Sequence, residues 1–279
     1  GVRNLGRAAT QKLLSPGILG IYASTPEELS ATLILGRFFE QPKNKLPKPR
    51  LRGTVAPKGG MGEWFSALKR YLLTHEVEFI TSACPPLAQS KLDCLTIVAT
   101  SAPEASRLLS ESHPEISRTL AAIEMLPIVS VSIFSEVASS DPRGFGCLFH
   151  PNAHFSSLGV LFSSDIFPHR FESATRAETW ILGGSIRPQL LALPDSELVA
   201  HVLDDRKRLS AACNKSLHTV ITRWPQAFPK YSIELEKNLA QLETHRVNPQ
   251  SLVLVGNYLG RLGLSQIAAS ISERLENIS

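Results

Sequence analysis

The 279-residue sequence contains no run of the ~18 consecutive apolar residues that a bilayer-spanning helix needs, and it does not open with the basic start and apolar stretch of a signal peptide. Any contact with a membrane is therefore expected at its surface. Charge of one sign is scarce too: 29 Lys and Arg stand against 25 Asp and Glu, a balance of +4. That field is too thin to argue for nucleic acid as a partner. The densest basic stretch, Lys43 to Arg52, is interrupted by Pro42, Pro47 and Pro49 and reads as a solvated linker, with an anionic-surface patch as the alternative. The length of 279 residues excludes a small disulfide-stapled scaffold, and the four widely spaced cysteines, Cys84, Cys94, Cys147 and Cys213, with no C-x-x-C pair and no nearby histidine, offer no zinc site and point to a reduced, cytosolic chain. Of eight histidines, His150 and His154 stand at metal-ligand spacing, but Pro151 breaks any helix between them, so no metal site is expected. Signatures of serine hydrolases, P-loop NTPases and kinases are absent.

What is present is a hydrophobic share of 43% against 19% charged residues, enough to bury a core in one large or two ordinary domains. Apolar residues at Leu5, Ala8, Ala9 and Leu13 predict a helix over Val2–Leu14 that Ser15-Pro16-Gly17 stops. Ser24-Thr25-Pro26-Glu27-Glu28 predicts a second helical start, running to about Phe39, and Trp64, Phe65, Leu68, Tyr71 and Leu72 mark a broad apolar face over Glu63–Thr74. Val77–Ile80 and Leu95–Ala99 read as short strands, the second followed by Thr100-Ser101-Ala102-Pro103 and a helix, which is an α/β unit. Ile128–Phe134 alternates apolar with small polar residues. With Gly146–His150, Leu158–Ser163 and Thr179–Gly183 it predicts a mostly antiparallel sheet. A helix over Asp195–Ala212, a strand near Val220–Trp224, a turn at Pro225–Tyr231, a helix to about Thr244, a buried strand Ser251–Val255 and a helix from Leu264 to about Leu275 complete the reading.

One constellation carries chemistry. A buried strand runs directly into Gly256-Asn257-Tyr258-Leu259-Gly260-Arg261-Leu262-Gly263 and then a helix, an arrangement in which backbone N–H groups and a positive helix end can face a polarised ligand edge. Its G-x-x-x-G-x-x-G spacing is not the dinucleotide fingerprint, so a cofactor contact and a tight structural turn both remain open.

Several stretches, taken jointly and in order, resemble motifs of the protoporphyrinogen oxidase family. They are Leu14-Ser15-Pro16-Gly17-Ile18-Leu19-Gly20-Ile21-Tyr22-Ala23, Gly59-Gly60-Met61, Ile97 to Pro103 and Gly144-Phe145-Gly146-Cys147-Leu148-Phe149-His150-Pro151. Leu158-Gly159, Ser163 to Arg170, Gly183-Gly184, Trp224 to Tyr231 and Gly256-Asn257-Tyr258 continue the match along nearly the whole chain. The resemblance implies a mixed α+β and α/β fold: a partial FAD-binding α/β domain, an antiparallel-sheet substrate domain and a helical N-terminal segment. It implies residues 1–50 as the end of a helical, membrane-facing domain, 51–103 as a return segment of the FAD domain, 104–224 as the substrate domain and 225–279 as the last FAD-domain segment.

The function so implied is FAD-dependent oxidation of protoporphyrinogen. Gly256, Asn257, Tyr258, Gly263 and Leu264 would contact the cofactor. Phe145, Leu126, Leu109 and Arg170 would contact the porphyrinogen, with Phe145 stacked on a pyrrole ring and Arg170 near a propionate. No catalytic side chain is assigned, because the flavin carries the reaction. Peripheral membrane contact and a homodimer are further expectations. The sequence departs from the family in having no G-x-G-x-x-G unit, in carrying Arg261 where the family has glycine and Gln266 where it has aspartate, and in a short Val77–Leu95 region. Impaired activity is therefore expected, with a non-catalytic porphyrin-binding or partner-binding remnant of the fold as the alternative; other amine-oxidase-fold flavoproteins, acting on amines or polyenes, form a third class.

Overall fold

The computed structural model describes residues 6–39, 55–88, 94–210, 216–245 and 251–276. The Lys43–Arg52 stretch, Leu5 and Cys213 lie outside them.

The first helix, α1, is continuous through the proline expected to end it: Arg7–Ala9 and Ser15–Tyr22 are joined by a π-helical turn, Thr10–Leu14. Inside an α-helix a proline at 16 would collide with the carbonyl four residues back. Widening the preceding turn, so that the Ser15 N–H donates to the Thr10 carbonyl, makes room for it. The Thr25 start also differs from expectation. Thr25 and Glu28 form a reciprocal capping box around the short turn Pro26–Glu28, but Leu29 is extended, and helix α2 begins afresh at Ala31–Phe39 with the Ser30 hydroxyl accepting from the Leu33 N–H.

Helix α3, Met61–Leu73, keeps Trp64, Phe65, Leu68 and Tyr71 exposed. The chain after it, Val77–Ile80, is irregular rather than the strand its apolar residues suggested. Strand β1, Thr96–Val98, then leads through Ser101 into helix α4, Ala102–Leu109, and on to α5, Pro114–Ala121, which sequence periodicity had not singled out.

The central sheet follows, from β2, Met125–Glu136, through β3, Gly146–Leu148, and β4, Ser157–Leu161, to a short helix α6, Ser163–Ile166, and β5, Thr175–Gly183. Helix α7, Asp195–Leu209, crosses it, and β6, Ser216–Pro229, closes the antiparallel order β3-β4-β5-β2-β6. The expected turn at Pro225 is instead part of β6. Leu126 faces Phe228 while Ile128 faces Trp224, so the extra residues bulge out of the ladder and Pro225 sits where no ladder N–H is required. Helix α8, Ile233–Thr244, strand β7, Leu252–Leu254, parallel to β1, and helix α9, Leu264–Glu276, end the chain.

Two principal cores result. One packs Val98, Leu109, Leu120, Leu235 and Tyr258 between the parallel pair and helices α4, α5 and α8. The other packs Val129, Val131, Trp180, Leu182, Leu198 and Val202 between the sheet and α7. The architecture is the mixed α+β and α/β fold expected from the sequence, with a parallel and an antiparallel sheet.

Candidate functional site at the glycine turn and the open sheet face

Parallel strands place binding sites beyond their carboxyl ends, where the following turns diverge. In this chain β1 and β7 end side by side, the Val255 N–H donating to the Val98 carbonyl at 2.9 Å. From β1 the chain turns through Ser101 into α4; from β7 it enters Gly256, the short helical turn Asn257–Leu259 and Gly260, which is left-handed at φ 77°. Gly256 has no room for a side chain, since a Cβ there would lie 2.3 Å from the Tyr258 ring. The Tyr231 hydroxyl donates to the Asn257 carbonyl at 2.7 Å and pins the turn to the start of α8. Gly263, at φ 89°, opens α9 by accepting from the N–H groups of Gln266 and Ile267.

Of the residues expected at a cofactor, Asn257 is half-buried, Gly263 and Leu264 are exposed, and Tyr258 is fully buried. The Tyr258 hydroxyl finds no hydrogen-bond partner among the described residues. Burial raises its pKa far above the ordinary phenol range, with Arg274 opposing weakly. An orphaned buried hydroxyl beside a glycine-rich turn fits a site whose remaining partner is a ligand.

A second surface lies on the central sheet. One face of β2, through Val129, Val131 and Ile133, is buried under α7; the other carries Ile128, Ser130, Ser132 and Phe134. Register brings Thr179 and Ile181 of β5, Leu161 of β4 and Val220, Thr222 and Trp224 of β6 alongside them. Leu148, Leu161, Val220 and Trp224 are exposed, so this face is open and largely apolar. Across it runs a hydroxyl row, Ser132 and Ser163 each 3.1 Å from the Thr179 hydroxyl. Sequence reading missed the face as a site, although the Ser130 and Ser132 alternation in β2 signals it. Beside it, a cleft of about 490 Å³ between α4, α5 and the β6 bulge is lined by Pro103, Ser106, Ile123, Met125 and Gln226.

The four residues expected at substrate do not converge. Phe145 stands 70% exposed before β3. Leu109 is wholly buried in the helical core, whereas Leu126 is buried with Leu19, Ala23 and Leu158 where α1 meets the sheet. Arg170 donates to the Pro57 carbonyl at 2.6 Å and the Lys58 carbonyl at 3.1 Å and lies over the Phe167 ring, tethering the segment ahead of α3.

Under the sheet lies a charge network absent from the sequence reading. Glu178, between β5 neighbours Arg176 and Trp180, accepts from Arg176 Nε at 3.0 Å, Arg206 Nε at 3.0 Å and Trp180 Nε1 at 3.1 Å. Arg206 also donates to the Ser135 hydroxyl at 2.8 Å, and Asp205 accepts from the N–H groups of Ser156 and Ser157. Among the described residues, no three His, Cys, Asp or Glu side chains are grouped to hold a metal ion.

No family model matches the chain. Among curated proteins it is 23% identical to the mitochondrial protoporphyrinogen oxidase of Nicotiana tabacum over 96% of its own length and 64% of that relative. It is 23% identical to the chloroplastic protoporphyrinogen oxidase 1 of Arabidopsis thaliana over 95% of its length and 59% of that protein. The chain thus spans roughly three-fifths of these relatives. A solved structure from Exiguobacterium sp. 255-15, named "Putative protoporphyrinogen oxidase", superposes with a TM-score of 0.71 at 17% identity, covering 99% of this chain and 65% of that one. Reduced UDP-galactopyranose mutase superposes with a TM-score of 0.65 at 12% identity, covering 87% and 57% of the two chains. Along nearly its whole length the chain is similar in sequence to protoporphyrinogen oxidases, and it shares its mixed fold with these two solved proteins.

Proposed function

We propose that this chain is the substrate-facing part of an FAD-dependent oxidoreductase that converts protoporphyrinogen to protoporphyrin. The observation that carries the reading is the similarity to plant protoporphyrinogen oxidases over 95–96% of the chain, including the stretches that form the open sheet face and the glycine turn. Bound FAD would supply the acceptor for hydride equivalents from a methylene bridge of the macrocycle. Gly256, Asn257, Tyr258, Gly263 and Leu264 hold the cofactor in this reading, the Tyr258 hydroxyl gaining the partner that it lacks among the described residues. The open face of β2, β5 and β6 excludes water from the flat substrate and orients it. Phe145 stacks on a pyrrole ring from the sheet edge and Arg170 meets a propionate at the rim, whereas Leu109 and Leu126, buried in two separate cores, act only through the packing behind those elements.

The division into residues 1–50, 51–103, 104–224 and 225–279 belongs to the same proposal, the first part touching a membrane surface. Exposed Leu13 and Ile21 on α1 support that contact, and none of the described helices is long and apolar enough to cross a bilayer. A homodimer is part of the reading too. Without a G-x-G-x-x-G unit in the sequence, this chain alone binds FAD weakly and turns over slowly.

Titration of the purified chain with FAD and with protoporphyrin IX, followed by absorbance, tests the reading. Porphyrin binding together with weak, saturable flavin binding is expected. Arg261 and Gln266 favour a second reading, a porphyrin binder without flavin, which porphyrin binding with no flavin binding at millimolar FAD would establish. Failure to bind either ligand overturns both.

A further inference from the structure

The segment ahead of β3 has two glycines in conformations that other residues rarely adopt, Gly144 at φ 122° and Gly146 at φ 155°. Gly146 lies so close to β4 that a Cβ would sit 2.1 Å from the Val160 carbonyl oxygen. Two such glycines flanking one residue make a pivot, and Phe145 between them is too exposed to be held by its own burial. The pivot is nonetheless fixed from beneath. Asp165 accepts from the Gly144 N–H at 2.9 Å and from Arg143 at 3.1 Å. Arg176, wholly buried, donates to Asp165 at 3.2 Å and to the Pro142 carbonyl at 2.7 Å, with its guanidinium 4.3 Å above the Phe162 ring. Glu178, itself held by Arg206, anchors Arg176 in turn. The Phe145 carbonyl accepts from the Phe162 N–H at 3.0 Å.

Buried ion networks contribute little net stability compared with apolar packing of the same volume, so the consequence of this one is geometric. We infer that Asp165 and Arg176 are positioning residues for the Phe145 ring, locking a two-glycine pivot in the orientation from which the ring meets a flat porphyrin. The inference rests on the proposed function and adds to it the device that pre-organises the aromatic contact. Freezing a pivot before binding removes an ordering cost that the ligand would otherwise bear.

A double-mutant cycle on the full chain tests it, reading protoporphyrin IX affinity from the Soret band and hydrogen exchange over Pro142–Gly146. Phe145→Ala and Asp165→Ala are each expected to weaken porphyrin binding about tenfold, Asp165→Ala also speeding exchange in the turn, and the double variant to bind no more weakly than Phe145→Ala alone. A merely structural Asp165 would lower affinity equally in both backgrounds, and that additive result overturns the inference. So does faster exchange with parental affinity. Should Asp165→Ala fold poorly, Asp165→Asn, which keeps an oxygen for the Gly144 N–H but loses the charge facing both arginines, enters the same cycle with the same criteria. Parental affinity in Phe145→Ala, or no porphyrin binding by the parent chain, overturns the proposed substrate contact itself and the inference with it. Weakened binding in Phe145→Ala with none in Asp165→Ala overturns the inference alone.

Discussion

The hydroxyl of Tyr231 donates to the main-chain carbonyl of Asn257 at 2.7 Å, tying the start of α8 to the turn after β7. Tyr231 is buried in the helical core and Asn257 is half-buried, so the bond is partly shielded from competing water. Tyr231→Phe is expected to cost about 1 kcal/mol, a fall of roughly 2–4 °C in Tm, and to weaken flavin binding more than that stability loss explains. Thermal melts beside FAD titration check both.

Tyr258, one residue beyond Asn257, gives the opposite expectation. Its hydroxyl is buried with no partner among the described residues, so Tyr258→Phe removes a desolvated polar group without breaking a bond. Unliganded stability should hold or rise by up to about 1 kcal/mol. A loss of more than that in urea denaturation would mean the hydroxyl is satisfied.

Glu178 lies between two buried guanidiniums. Glu178→Ala leaves both uncompensated and is expected to cost about 3–5 kcal/mol, measured as a lower urea midpoint. Exposed pairs such as Arg208 with Asp204 should cost less than about 1 kcal/mol when broken.

Adjacent positions in one turn should separate steric from ligand effects. Gly146→Ala forces a methyl group against the Val160 carbonyl and is expected to destabilise by more than about 2 kcal/mol. Phe145→Ala, at an exposed site, should stay within about 0.5 kcal/mol of the parent while losing porphyrin affinity.

His113 supplies a pH dependence. Burial holds its imidazole pKa below the ordinary value, and Nδ1 has no partner among the described residues. The unfolded chain therefore takes up this proton at higher pH than the folded one, so the contribution to stability is full above the unfolded pKa and is lost as pH falls through the folded value. Urea midpoints should drop from pH 7.5 to pH 5, and His113→Asn, which removes the imidazole and places a good N-cap residue where the His113 side chain makes no cap hydrogen bond, should flatten that drop.

Local signals in the sequence marked the elements whose chemistry is local. The Ile128–Phe134 alternation located β2, and Pro194-Asp195-Ser196 located the start of α7. Val77–Ile80 has apolar residues but pairs with no strand among the described residues, and is irregular. Helix α5 was overlooked although Pro114 and Glu115 are good first-turn residues. The glycine turn was legible because strand, glycines and helix are contiguous. The open face was not, since it exists only once β2 lies between β5 and β6. Arg176 and Glu178 alternate like a solvated strand face; only their meeting with Arg206, far along the chain, makes them interior.

The widened turn in α1 sets the rotational phase of everything after it. One surplus residue between Thr10 and Ser15 swings the second half of the helix by about 100° relative to an unbroken spiral, which is what turns Ile18 and Leu19 inward while Leu13 looks out. A proline usually regarded as a helix breaker thus acts as an indexing pin: replacing Pro16 with alanine is expected to let the spiral close up and carry Ile18 out of the helical core and Leu19 away from Leu126 and Leu158 of the sheet.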